Sequence, residues 1–396
     1  MKRLLVPVGL FLVIAALGFL FLPYDTLNPP RTIPNGSSMG KELYDAPAQI
    51  AAVSTVHRTS TAETVSNEKE PELAVSLMQG CEGRPTETPR LVVDVPVATL
   101  WSKPNQARPM DQLGLQNPVQ LRSWLQSMSL SDKLWLVGKL ETQALLGTEV
   151  NLLDRQGDWL KVAVTNQSTP KNENGYPGWV PKEQISEQTV LYDACPIAIV
   201  SSPTAWLYED AISSQQLEEI SFNTELPIVQ SEESRIGVIR RNDEIRWLDK
   251  SDAIVWEQKQ SDAGLLGHVT GEELVQTAKN FLELPYLWAG ISGFGFDCSG
   301  FTYALHRFHG IAIPRDAKDQ ASGGLKVDKA DLKPGDLLFY AYDSGKGKIH
   351  HVAMYIGGDM MIHSPKTERS IEIISMKTPA YAKEFAGARR YTAMSI

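Results

Sequence analysis

The amino-acid sequence predicts a multidomain chain: two small all-β barrels in tandem, then an α+β domain. Three observations carry that expectation. From about residue 90 the chain breaks into short β-prone runs separated by turn residues, the texture of a small barrel rather than of a helical bundle. A weaker copy of the same order of runs follows, which reads as a repeat. After about residue 267 the pattern changes to helices and then strands, the order of an α+β layer architecture. At 396 residues the chain exceeds one typical domain, and a hydrophobic fraction of 42% suffices for several cores. The net charge of −9 disfavours nucleic acid as a partner, because that affinity rests on Lys and Arg neutralising phosphates.

Residues 1–23 read as a targeting segment. Lys2 and Arg3 precede an uncharged apolar stretch over 4–22, whose length lies between a signal peptide and a spanning helix. No small-residue cleavage pattern follows, which favours an uncleaved membrane anchor over a removed signal peptide. Either way the remainder is expected to be extracytoplasmic, bound to the membrane through this segment or secreted to the cell wall. Residues 24–89 are rich in Pro, Ser, Thr, Ala and Glu and read as a flexible tether, with a candidate short helix within 71–78. The three cysteines are Cys81, Cys195 and Cys298. An odd count leaves at least one free thiol, and it is compatible with a Cys81–Cys195 pair or with two unpaired structural thiols.

The first barrel is placed at 90–192. Its runs are 91–101, 149–153, 159–164 and 178–181, with a turn at 154–158 around Gly157 and a helical insertion over 113–128. The second is placed at 193–264, with runs at 197–200, 204–208, 224–229, 235–239 and 244–248. The α+β domain takes 265–396. Thr270 with Glu273 three residues on is a capping box, followed by Leu274, Ala278, Phe281 and Leu282 at helical spacing. Asp297 is placed to cap a helix that opens at Cys298 and ends near Gly310. Past Pro334-Gly335-Asp336, strands are expected over 337–340, 351–356, 360–363 and 370–374.

Asp297-Cys298-Ser299-Gly300 carries the chemistry. A cysteine attacks as thiolate, and its free pKa near ~8.5 leaves it mostly protonated at neutral pH. A helix N-terminus favours the anion, and a nearby histidine favours it more. Polar neighbours on both sides argue against a structural cysteine in an apolar pocket. In 351–356, alternation gives Val352, Met354 and Ile356 to the core and leaves His351, Ala353 and Tyr355 on the other face. A three-residue loop at Gly357-Gly358-Asp359 brings His363 to the face of His351, whereas a two-residue loop puts the histidines on opposite faces. His350 sits with the core set or begins the strand. His57, His268, His306 and His309 have no supporting context. No His pair at i,i+4 and no Cys-x-x-Cys is present, so neither a metal nor a cofactor is expected.

Residues 296–301, 332–337 and 351–357 resemble, in order and spacing, the signatures of NlpC/P60 cysteine peptidases. The resemblance covers about 270–392. It implies a papain-like core and hydrolysis of bacterial cell-wall peptides, with Cys298 as nucleophile, His351 as general base and His363 as its orienter. Tyr286 matches a position that helps hold the oxyanion together with the Cys298 N–H. Ala289-Gly290 departs from the Gly-Gly of many members. The barrels, with their strand, turn, strand and Gly-Trp-Val-Pro order, resemble bacterial SH3-like domains. The combination resembles γ-D-glutamyl-L-diamino-acid endopeptidases, in which the first barrel closes one end of the cleft and binds a free N-terminal L-Ala. That resemblance implies Glu141, Tyr176, Trp288, Asp297, Ser299 and Asp316 as pocket residues, with murein or stem peptides as partners. A surface Glu141 and a merely packing Tyr176 are the plain alternatives, and Arg315 reads as an ion-pair partner. Two rival functions are a D,L-endopeptidase acting on intact peptidoglycan, and a wall-binding protein whose peptidase domain is degenerate.

Overall fold

The computed structural model describes residues 76–77, 81–256 and 269–392. The expected leader at 1–23, the tether up to residue 75, His57 and His268 lie outside the described residues. Among the described residues, no helix is long and apolar enough to cross a membrane.

The first barrel is a five-stranded antiparallel sheet in the order Leu140–Leu145, Val97–Trp101, Tyr176–Pro181, Trp159–Val164, Val150–Gln156. Its inward residues, among them Val93, Leu100, Val162, Val164 and Val180, form one apolar cluster. The run expected over 91–101 is two strands. Arg84–Val93 pairs with Ile185–Leu191, and Val97–Trp101 enters the barrel. Asp94 and Pro96 explain the break. Pro96 has no N–H for a ladder, and buried Asp94 is ion-paired by Arg240 and Arg241 of the second barrel. The helical insertion is three short pieces, a 3-10 turn at Pro109–Gly114 and helices Leu121–Ser127 and Leu130–Trp135. Buried Asp111 holds them, accepting from Trp124 Nε1 and Arg108.

Two corrections concern the expected tether. Residues 84–89 belong to a strand, and Cys81 is disulfide-bonded to Cys195. Ser76–Leu77 pairs with Gln230–Ser231 as a short strand where a helix was expected. In the second barrel each run foreseen becomes a strand, and Gln216–Ser221 and Ala253–Trp256 join them unforeseen. These two carry exposed polar residues or follow a turn, so alternation does not announce them.

The C-terminal domain packs helices on a six-stranded antiparallel sheet. Its order is Leu325–Val327, Phe385–Arg390, Leu337–Ala341, Ile349–Gly357, Met360–His363, Glu372–Ser375. Helix Gly271–Lys279 begins at the expected Thr270/Glu273 capping box. Helix Cys298–Phe308 is buried along most of its length, with Phe301 and Leu305 in one core with Val352, Met354 and Ile362. Each aromatic or aliphatic side chain so buried contributes about 1.5–3 kcal/mol.

Polar contacts dock this domain onto both barrels. Gln143 Oε1, from the first barrel, accepts from the Ile291 N–H at 3.1 Å and from Ser292 Oγ at 3.0 Å. Trp288 Nε1 donates to the Leu140 carbonyl at 3.0 Å. The Gly293 N–H donates to Ser221 Oγ of the second barrel at 2.9 Å. A Cβ at Gly293 would lie 1.7 Å from the Pro203 carbonyl oxygen, so this approach requires glycine.

Candidate active site

Cys298 occupies the first turn of its helix because Asp297 supplies the N-cap, its Oδ1 accepting from the Gly300 N–H at 2.6 Å. Cys298 as a residue is half-buried. The backbone N–H groups of Val352, the residue after His351, and of Ser299 favour its thiolate. Sequence reasoning expected the helix start to lower this thiol's pKa. Instead burial, and then the Asp297 carboxylate, push it up to about 12, against the two N–H groups and Arg315.

His351 is buried, and its Nε2 lies 2.8 Å from His363 Nδ1. His363 is also buried, and its Nε2 lies 3.2 Å from Glu372 Oε1. The two imidazoles meet edge to face, with centroids 5.0 Å apart, and the Tyr381 ring packs on both. The turn between their strands is two residues, Gly358-Asp359, which by itself would separate the histidines. A bulge between Tyr355 and Gly357 restores the parity: Tyr355 pairs with Met361, and both histidines fall on their face.

Glu372 assigns the protons. Its carboxyl is held below the usual range, first by the hydrogen bond from His363, so it only accepts. His363 therefore carries its proton on Nε2 and accepts at Nδ1. His351 then donates from Nε2, leaving the Nδ1 lone pair as the base. Burial, then His363 and His350, hold the His351 pKa well below the usual histidine value. Thiol and imidazole are both neutral at rest. Sequence reasoning missed Glu372, although it stands directly across the ladder from His363.

Tyr286 is buried, and burial, then the Cys298 and Asp297 charges, push its phenol up, so it keeps a proton to donate. Arg315 is 1% exposed. It donates to both Asp297 oxygens at 3.1 and 2.8 Å, to Ser299 Oγ at 3.0 Å and to Thr142 Oγ1 of the first barrel at 3.1 Å. Asp297 and Ser299 are thus tied to this guanidinium. Trp288 spans the junction with the first barrel.

Glu141, Tyr176 and Asp316 converge on one point. Tyr176 is 2% exposed, and its hydroxyl lies 3.1 and 3.0 Å from the two Asp316 oxygens. At that point sits the Lys171 ammonium, 3.0 Å from Glu141 Oε2, 3.3 Å from Asp316 Oδ2 and hydrogen-bonded to the Tyr176 hydroxyl. Lys171 lies in the loop of residues 165–175, and no periodicity singles it out. Of the remaining histidines, His350 pairs with Glu384 and stacks on Tyr342, His309 bonds Thr277, and His306 is buried within the cysteine helix itself, its Nδ1 2.8 Å from the Thr302 carbonyl.

Comparison with known proteins adds three family matches: NlpC/P60 family over residues 283–390, YKFC SH3b2 domain over 200–256, and bacterial dipeptidyl-peptidase Sh3 domain over 138–185. The chain is 48% identical over 303 residues to a gamma-D-glutamyl-L-lysine dipeptidyl-peptidase of Bacillus cereus (strain ATCC 10987 / NRS 248), covering 76% of this chain and 90% of the relative. It is 42% identical over 296 residues to the protein of the same name from Bacillus subtilis (strain 168), covering 74% and 96%. A crystal structure of an NlpC/P60 family protein from Bacillus cereus ATCC 10987 superposes with a TM-score of 0.72 at 47% identity, covering 76% of this chain and 99% of that one.

Proposed function

Because this chain belongs to the NlpC/P60 family of cysteine peptidases, we propose that it cleaves the bond between γ-D-Glu and the diamino acid of murein peptides bearing a free N-terminal L-Ala. It works outside the cytoplasm, and residues 1–23 attach it to the membrane or direct its export. The observation that carries the reading is the cluster of Glu141, Tyr176 and Asp316. Two carboxylates and a phenol present acceptors to a single cation. Asp316 follows Arg315, which is bonded to Asp297, the neighbour of Cys298. An ammonium held there places the next peptide unit toward the sulfur. The names of the two relatives support the same bond.

The reaction starts with transfer of the Cys298 proton to His351 Nδ1. The thiolate attacks the γ-carbonyl of D-Glu, and the oxyanion accepts from the Cys298 N–H and the Tyr286 hydroxyl. His351, held by His363, returns the proton to the leaving amine, and a thioester remains on Cys298. Water deprotonated by His351 then releases L-Ala-γ-D-Glu. Trp288, Asp297 and Ser299 line the cleft between the two bound ends.

Mass spectrometry of products from L-Ala-γ-D-Glu-L-Lys and its N-acetyl form tests the reading. Acetylation removes the charge that the two carboxylates would receive and is expected to lower kcat/KM at least about 100-fold. Equal turnover refutes the closed pocket and supports a D,L-endopeptidase open to intact peptidoglycan. Cys298→Ala is expected to abolish hydrolysis. Retained hydrolysis refutes the thioester, and lost hydrolysis with retained wall binding leaves binding as the barrels' own task.

A further inference from the structure

The Lys171 side chain has a property that a structural salt bridge does not require. A primary ammonium has three N–H donors. Lys171 donates to Glu141 Oε2 and to the Tyr176 hydroxyl, and its charge pairs with Asp316 Oδ2 at 3.3 Å. These are the three groups assigned above to the substrate's N-terminal ammonium. The lysine presents the same functional group to the same groups. A second ammonium has no place there while the lysine is seated, because two like charges about 3–4 Å apart repel strongly in a partly desolvated site.

The lysine is also free to leave. Its side chain is 42% exposed, whereas the Tyr176 beneath it is buried. It lies over the Tyr176 ring, with Nζ 4.2 Å from the centroid. Its loop is held independently of the ammonium, because the Arg315 N–H donates to the Ser168 carbonyl and the Asn174 N–H to Asn172 Oδ1. Rotation of the side chain into solvent therefore opens the subsite with the backbone in place.

We propose that Lys171 is an intrinsic competitor for the ammonium subsite. Its ammonium fills the seat in the free enzyme and is displaced by the α-ammonium of the incoming peptide. This rests on the pocket reading above and deepens it by naming what the substrate replaces. Displacement requires a charged amine: a peptide with a free amine exchanges one ammonium for another, whereas a blocked amine has no cation to offer and leaves the lysine seated. It also keeps two carboxylates from facing each other unpaired between turnovers.

Steady-state kinetics with L-Ala-γ-D-Glu-L-Lys on the full chain tests it. If the lysine occupies the seat about nine-tenths of the time, the competent fraction is about one-tenth, and Lys171→Met lowers KM about tenfold. The kcat value stays within about twofold, because the loss affects ground state and transition state alike. Lys171→Arg keeps a cation at the seat and is expected to stay near wild-type KM. A KM for Lys171→Met that is unchanged or raised overturns the proposal and leaves Lys171 as a fixed clamp on Asp316 and Glu141. Thermal unfolding gives a second readout: the product L-Ala-γ-D-Glu raises the Tm of Lys171→Met more than that of the wild type, and equal shifts overturn the proposal. The two readings fail separately. Wild-type indifference to N-acetylation defeats the pocket itself. Wild-type discrimination without a lower KM in Lys171→Met defeats only the competitor.

Discussion

Arg315→Met is the substitution whose cost follows most directly from the geometry. The guanidinium is 1% exposed and makes four hydrogen bonds, two to the Asp297 carboxylate, one to Ser299 and one to Thr142. Methionine fills a similar volume, so the loss is one of charge. Removing one partner of a buried ion pair strands the other, at a cost of about 3–5 kcal/mol. For a folded region of this size that corresponds to a fall in Tm of roughly 10 °C. The double variant Arg315→Met/Asp297→Asn removes the stranded charge and is expected to recover about 2 kcal/mol over the single variant. Urea unfolding of the wild type, both single variants and the double variant measures that coupling. The sulfur supplies an independent reading. Arg315 lowers the Cys298 pKa, so its loss pushes the thiol higher and slows alkylation by iodoacetamide at fixed pH. A single-variant cost below about 1 kcal/mol, or a double variant no more stable than Arg315→Met, refutes the reasoning.

Further predictions concern the histidines and the disulfide. Because the His351 pKa is held well below the usual value, the base stays neutral into acid. The acid limb of kcat/KM, where activity is lost as pH falls through that pKa, should lie below pH 6.5, the reference value for histidine; a limb at or above it contradicts the assignment of His351 as the base. Glu372→Gln keeps an acceptor but not the charge that fixes the His363 tautomer, and a fall in kcat of roughly tenfold with little change in KM is expected. Cys81→Ser/Cys195→Ser opens a cross-link spanning 114 residues and should cost about 3 kcal/mol in urea unfolding while Cys298 remains active. An unchanged urea midpoint would show that the cross-link adds nothing.

Much of the fold was legible because its signals are local. The Thr270/Glu273 capping box and the Asp297 cap state helix starts within four residues, and alternation in 351–356 states which face of the sheet carries His351. What escaped depends on contacts between distant segments. The break between Val93 and Val97 is stabilised by Arg240 and Arg241, about 146 residues away. The histidine strands illustrate the limit. Parity and loop length alone left two outcomes, and the bulge between Tyr355 and Gly357, which decides between them, has no signature stronger than the glycines already counted. Glu372 was hidden for a related reason, since its pairing with His363 is a matter of register and not of residue type. Glu141, Tyr176 and Asp316 were named from a resemblance, and the structure brings them together, whereas no pattern marked Lys171.

The barrels are inseparable from the chemistry. Glu141, Thr142 and Gln143 are consecutive residues of one first-barrel strand, and Thr142 and Gln143 bond the C-terminal domain directly. Glu141 pairs with Lys171 of its own barrel, Thr142 accepts from Arg315, and Gln143 accepts from Ile291 and Ser292. Successive side chains on a strand point to opposite faces, so bonding one partner domain with both Thr142 and Gln143 requires that domain to wrap the strand's edge. The stretch from Trp288 to Gly293 does this, bonded to Leu140 at one end and to Ser221 of the second barrel at the other. A displacement of the first barrel by even 1 Å would then loosen the Arg315 network beside Cys298 and the ammonium seat together. On the proposed reading, specificity for the peptide's end and reactivity at the sulfur are coupled through Arg315, whose neighbours Asp297 and Asp316 belong one to each.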